Sequence, residues 1–254
     1  MDDKKEPRAA RTPAEEAALL DRIKTDLVDA NHILLHHCIV DSFGHISVRH
    51  PLHRDRFLMS RRVAPGLVTL DGIREFGMDG ELIDKDGTPA FLERYIHSAI
   101  FAARPEVRSV IHSHSPSVIP FGVVKDRPLR AISHTGRFIG DGLPIFEVRD
   151  CAAPSPNMLV VNQQMGEELA DALGDHPVVL MRGHGSTAVG GSIQEAVFRA
   201  IYVELNAQIQ TAALALGGEI TYLSPEECAP VGGEAGPDAM KRTWNYWKSL
   251  VANG

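Results

Sequence analysis

The segment Ser109-Val110-Ile111-His112-Ser113-His114-Ser115 constrains this chain more than any other stretch. Val110 and Ile111 read as a short buried strand, and two histidines follow in the pattern H-x-H where that strand runs out. Extended residues two apart face the same side, so both imidazoles can reach a single metal ion. A solvated pair at a strand end is the plain alternative, and a third ligand decides between the two.

Two other segments offer such a ligand. Phe91-Leu92-Glu93-Arg94-Tyr95-Ile96-His97 has helical character, which sets Glu93 and His97 one turn apart on one face. Pro177-Val178-Val179-Leu180-Met181 reads as another buried strand, and Arg182-Gly183-His184-Gly185 then places a histidine between glycines that let the backbone approach a bound ion. Three neutral imidazoles and one carboxylate, drawn from strand ends and a helix, would make an open site for a catalytic divalent metal.

Glu93-x-x-x-His97, His112-Ser113-His114 and Gly183-His184-Gly185 together resemble the class II aldolase/adducin superfamily, from about Leu19 to about Gly217. The resemblance implies an α/β fold of three layers, α/β/α, with a central, mainly antiparallel sheet flanked by helices. It implies that His112, His114 and His184 bind one divalent ion per subunit, for which zinc, manganese, cobalt and iron all suit imidazole ligands. It also implies a homotetramer with active sites between subunits.

The 254 residues suit one large domain, and no linker divides them. A formal net charge of -7 and the lack of a basic run argue against nucleic acid as a partner. Cys38, Cys151 and Cys228 are odd in number and far apart, which points to a reducing cytoplasm. No apolar run is long enough for a membrane span, and the charged N-terminus lacks the core of a signal peptide.

In chain order, residues 1–11 read as a polar tail, residues 12–223 as the aldolase/adducin-like domain, and residues 224–254 as an extension packing on that domain or on a neighbouring subunit. Thr12-Pro13-Ala14-Glu15 has the form of a capping box. Leu20, Ile23, Leu27, Ala30 and Leu34 then give an amphipathic helix. Strands are expected at Ile46–Arg49 and Phe57–Met59, a hairpin between Asp71 and Pro89, and a helix starting at Ser115 with Pro116 in its first turn. Asn162–Leu173 reads as a helix. A longer one starts at Ser192, with Val197, Ile201, Leu205, Ile209 and Ala212 as its apolar face and Gly217 as its stop. Residues 224–238 read as a loose connection leading to Trp244 and Trp247, for which packing is the expected role.

The residues around the metal motifs carry the choice of substrate. Where sugar-phosphate aldolases of the resembled superfamily have a Gly-Asn pair, this chain has Gly44-His45 in the turn Ser42-Phe43-Gly44-His45. His45 can donate a hydrogen bond, transfer a proton near neutral pH, or simply cap the turn. Where those aldolases carry a phosphate-binding turn, this chain has Ser60-Arg61-Arg62, whose guanidinium groups suit a planar carboxylate. In the resembled aldolases an aromatic acid near Ala131–Gly140 reaches into the neighbouring subunit's site, and His134 is the matching candidate here.

These stretches are similar to the branch that decarboxylates hydroxylated aromatic dicarboxylates, the dihydroxyphthalate and hydroxy-methylpyridine-dicarboxylate decarboxylases. The resemblance therefore implies a metal-dependent decarboxylase of a small aromatic carboxylate. In it Ser42, Gly44, Ser60, Arg61 and Arg62 bind substrate, and Glu93, His45 or His134 supplies the proton. An aldolase cleaving a hydroxy-keto acid or a sugar phosphate is the alternative. An adducin-like binding module is a third reading, which three converging imidazoles disfavour.

Overall fold

The computed structural model describes residues 11–85, 87–229 and 237–252. Among the described residues seven strands form one sheet: β1 His45–Arg49, β2 Arg56–Ser60, β3 Ile73–Gly77, β4 Ser109–Ser113, β5 Ile145–Phe146, β6 Val178–Met181 and β7 Gly185–Gly190. Their order across the sheet is β3-β2-β1-β4-β7-β6-β5. Every neighbouring pair is antiparallel except β5 with β6. The expected central, mainly antiparallel sheet is therefore present.

The helices are α1 Pro13–His36, α2 Arg94–Ala103, α3 Ile119–Val123, α4 Gln163–Leu173, α5 Ile193–Leu216, α6 Pro225–Cys228 and α7 Pro237–Val251. Alternation along the strands feeds a core on each face of the sheet. Ile46, Val48, Leu58, Ile111 and Ala188 point to the larger core, shared with α1, α5 and α7. Phe57, Met59, Val110, Val179 and Val189 point to the other, shared with α2 and α4. These two cores make the three layers.

Local chemistry sets most boundaries. Thr12 and Glu15 form the capping box that starts α1. Asn162 caps α4 and Ser192 caps α5, and Gly217 at φ +75° ends α5 in a conformation that favours glycine. Gly166 lets α4 press against α2, where a Cβ would collide with the Tyr95 carbonyl oxygen.

The structure departs from the sequence reading in several places. The apolar stripe expected on α5 leaves the core after Ile201, with Leu205 39% and Ile209 38% exposed. The buried face carries Glu204, Asn206 and Gln210 instead, because the loop crossing α5 presents unpaired backbone groups. Asn206 accepts from Ile132 N–H and donates to Arg130 O, while Gln210 donates to Pro128 O. The helix expected from Ser115 starts at Ile119, since Ser115 Oγ pairs with Ser113 Oγ at 3.0 Å and caps nothing. The expected hairpin reduces to β3, a tight turn and a single bridge between Phe76 and Leu82.

Trp244 and Trp247 are buried in the larger core, and Trp247 meets His37 and Tyr202. Of the polar tail only Arg11 lies within the described residues. The loose connection falls partly outside them, and its described portion includes α6. Among the described residues no helix is long and apolar enough to cross a membrane.

Candidate metal centre and cleft

Three neighbouring strands bring the predicted ligands together. His112 sits near the end of β4 and His114 just past it. His184 occupies the tight turn between β6 and β7, where Gly183 adopts φ +68° and His184 N–H bonds Met181 O at 3.0 Å. Gly185 then pairs close to β4, and a Cβ there would collide with the Ser113 carbonyl oxygen. That close approach sets His184 Nε2 3.0 Å from His114 Nε2.

Glu93 completes the group. It stands at the N-cap of α2 instead of inside the helix, and its side chain turns to the histidines. One carboxylate oxygen lies 3.6 Å from His112 Nε2 and 3.7 Å from His184 Nε2, while the other accepts Val160 N–H at 3.1 Å. One ligand atom from each of Glu93, His112, His114 and His184 falls within 4.8 Å of the others.

Electrostatics fit a cation at this point. Burial holds His112 well below the usual imidazole range, lowers His114, and brings His184 down to about 4, so the rings are neutral and offer lone pairs. Burial pushes Glu93 up to about 7, against the opposing pull of the Val160 N–H. Among the described residues His112 Nε2 is buried without a hydrogen-bond partner, an arrangement that a metal ligand explains and a purely structural histidine does not.

A cleft of about 570 Å³ opens beside the cluster, within the usual range for small-molecule sites. Phe43, Val63, Phe91, Leu92 and Leu159 supply apolar walls, and His45, Arg62, Glu93 and His114 supply the polar groups. The Phe43 ring stacks on His114 and the Phe91 ring lies 4.7 Å from His45. Ser42 and Gly44 line the cleft too, with Gly44 at φ +89°.

Three sequence candidates stand apart from this cleft. Ser60 is buried at the end of β2, and Arg61 is exposed with its N–H tied to Gly72 O. The bend after β2 puts Arg62, Val63 and Ala64 on the cleft lining and leaves Arg61 off it. His134 lies exposed on a 3₁₀ turn and is not among the cleft-lining residues of this chain.

Sequence reasoning gave His97 no role beyond its motif and gave Ser47 none. His97 is fully buried, with Nε2 2.6 Å from His45 Nδ1 and Nδ1 2.6 Å from Ser47 Oγ. The spacing His45-x-Ser47 on one strand face was the signal that could have found the pair.

Residues 25–211 match the family described as Class II Aldolase and Adducin N-terminal domain. Decarboxylase tropJ of Talaromyces stipitatus is 36% identical over 244 residues, which is 88% of this chain and 91% of that protein. The 3,4-dihydroxyphthalate decarboxylase of Arthrobacter keyseri is 28% identical, over 85% of this chain and 89% of its own. Among solved structures, the L-fuculose 1-phosphate aldolase from Glaciozyma antarctica superposes with a TM-score of 0.76 at 25% identity, covering 98% of this chain and 94% of that one.

Proposed function

The chain belongs to the class II aldolase and adducin family, and from that membership we propose that it is a metal-dependent decarboxylase of a hydroxylated aromatic dicarboxylic acid, of benzene or pyridine type. One observation carries the reading: Arg62 and the Glu93–histidine cluster open onto the same aromatic-walled cleft. Apolar walls suit a planar ring, and a guanidinium suits a carboxylate that stays on it. The names of the two decarboxylase relatives support the same reaction class.

A divalent ion held by His112, His114 and His184, of zinc, manganese, cobalt or iron, would supply Lewis acidity toward a chelating substrate oxygen. This chain's own residues do the rest. Arg62 fixes the remaining carboxylate, and the apolar walls keep water from the ring. The bond from ring carbon to the departing carboxylate breaks, its electron pair passes to the ring, and carbon dioxide leaves. The carboxyl proton of Glu93 is delivered to that carbon, and Glu93 regains a proton from water. Burial favours the protonated form of Glu93 in the metal-free site, and a neighbouring cation opposes it.

In this reading the protein is a homotetramer and His134 serves the site of a neighbouring subunit. Phe43 and Leu92, 64% and 51% exposed at the cleft, suit cover by a second copy. Aldol cleavage of a hydroxy-keto acid or sugar phosphate is the second reading, favoured by the likeness to an L-fuculose 1-phosphate aldolase. Purified protein supplied with each metal in turn, and offered hydroxyphthalates and hydroxypyridine dicarboxylates, separates the two. Carbon dioxide release supports the first; release of aldehyde or pyruvate-like fragments from hydroxy-keto acids, with no carbon dioxide from the panel, supports the second.

A further inference from the structure

His45 lines the cleft beside the metal cluster, opposite His112 in the β1–β4 register with ring centroids 5.2 Å apart. Its Nδ1 is taken by His97, which leaves Nε2 as the ring nitrogen available to a ligand. Whether that nitrogen carries a hydrogen depends on the polarity of the chain Ser47–His97–His45, and two polarities are conceivable. In one, His45 Nδ1–H donates to His97 Nε2, His97 Nδ1–H donates to Ser47 Oγ, and His45 Nε2 offers a lone pair. In the other, Ser47 O–H donates to His97 Nδ1, His97 Nε2–H donates to His45 Nδ1, and His45 carries Nε2–H.

The interior of the protein chooses between them. Ser47 is fully buried, and among the described residues its hydroxyl has no partner besides His97. The first polarity strands the hydroxyl hydrogen without an acceptor in a place water cannot reach, whereas the second gives that hydrogen and His97 Nε2–H an acceptor each and leaves His45 Nε2–H to the cleft. Phe57 stacked on His97, together with the bonds at both its ring nitrogens, fixes that ring and so the direction of the relay.

We infer that Ser47 and His97 are positioning residues that hold His45 in the Nε2–H tautomer, so that His45 is a neutral hydrogen-bond donor to a substrate oxygen in the cleft and is neither a metal ligand nor a base. A neutral imidazole is a poor source of a whole proton, since giving one up leaves an imidazolate. Its use is to stabilise negative charge that builds on an oxygen as the carboxylate departs. The part concerning substrate rests on the decarboxylase reading; the tautomer does not.

The test is nitrogen NMR of the full-length protein, labelled with ¹⁵N in its histidine rings and supplied with zinc, since protonated and bare ring nitrogens have well-separated shifts. His45→Gln assigns the resonance. His45 and His97 are each expected to be protonated at Nε2 and bare at Nδ1. Ser47→Ala should mix or invert these tautomers, and Ser47→Thr, which restores the hydroxyl, should return the original pattern. His45 protonated at Nδ1 in the unaltered protein, or a Ser47→Ala spectrum identical to it, overturns the inference.

Carbon dioxide release on the same preparations should fall about 10- to 100-fold in kcat/KM for Ser47→Ala, the usual cost of losing a group that orients a functional imidazole, and recover with Ser47→Thr. If the tautomers are as assigned while no carbon dioxide is released from any panel member, the decarboxylase reading falls and the assignment of His45 stands.

Discussion

Glu93 Oε2 stands 3.6 Å from His112 Nε2, too far for a hydrogen bond and close enough for both to face one ion. The carboxylate is thus placed either to contact a metal or to move a proton beside it. Glu93→Gln keeps the shape and the bond from Val160 N–H while removing the acid. It is expected to retain metal and to lose about 10²- to 10⁴-fold in kcat, the usual range for a general acid. Elemental analysis and single-turnover kinetics on one preparation decide this, and full turnover by the variant would remove Glu93 from proton transfer.

His112→Ala, His114→Ala and His184→Ala are each expected to lose both metal and activity. Bound metal also stabilises the fold by mass action, about 2.7 kcal/mol at a hundredfold excess over Kd. A chelator should therefore lower the Tm of the unaltered protein and leave that of His184→Ala unmoved. Metal retained at full stoichiometry by any of the three would count against a three-histidine site.

Arg62→Ala should raise KM for a dicarboxylate by about 10- to 100-fold, each tenfold step being 1.4 kcal/mol, with a smaller effect on kcat. Arg61→Ala should change little, since Arg61 lies outside the cleft lining. Equal losses for the two variants in steady-state assays would mean that the cleft lining misidentifies the carboxylate-binding arginine.

Glu147 braces the turn that carries His184, accepting from Arg182 Nε at 2.5 Å. Hydrogen bonds from Arg149 first and Arg182 second hold its carboxyl down at about 2, below the ordinary value of 4.5. Because the folded value is depressed, its contribution to stability is present above about pH 4.5 and is lost as pH falls toward 2. Glu147→Gln should flatten that part of the acid limb in unfolding curves and weaken metal binding about 10-fold, as for other groups that support a ligand.

Trp247→Ala removes a buried ring that joins α7 to α1 and α5, and should cost about 3–5 kcal/mol of stability. Chemical denaturation measures this. Metal stoichiometry in the folded fraction should stay intact, since the tryptophan lies outside the ligand group and the cleft lining.

The candidate metal ligands were legible because strand ends and glycine turns leave strong local marks, and H-x-H needs only the two-residue period of a strand to converge. The capping box of α1, the start of α5 at Ser192 and its stop at Gly217 were legible for the same reason. The buried face of α5 was not. Asn206 and Gln210 are buried only because a remote loop needs their amides, and no periodicity within the helix records that need. Strand β7, Gly185-Ser186-Thr187-Ala188-Val189-Gly190, passed unseen because its small residues look like a loop until β4 and β6 pair on either side.

The sequence by itself determined the chemistry available: three imidazoles at or near strand ends and a carboxylate beside a helix, plus two arginines and a histidine in nearby turns. Only the tertiary structure decided which of these meet. It turned Arg62 toward the cleft and left Arg61, Ser60 and His134 outside it, and it bound His45 to His97 across 52 residues of chain. The reason is that contacts between distant segments depend on strand register and helix packing, which are settled by the whole core and not by any stretch of it.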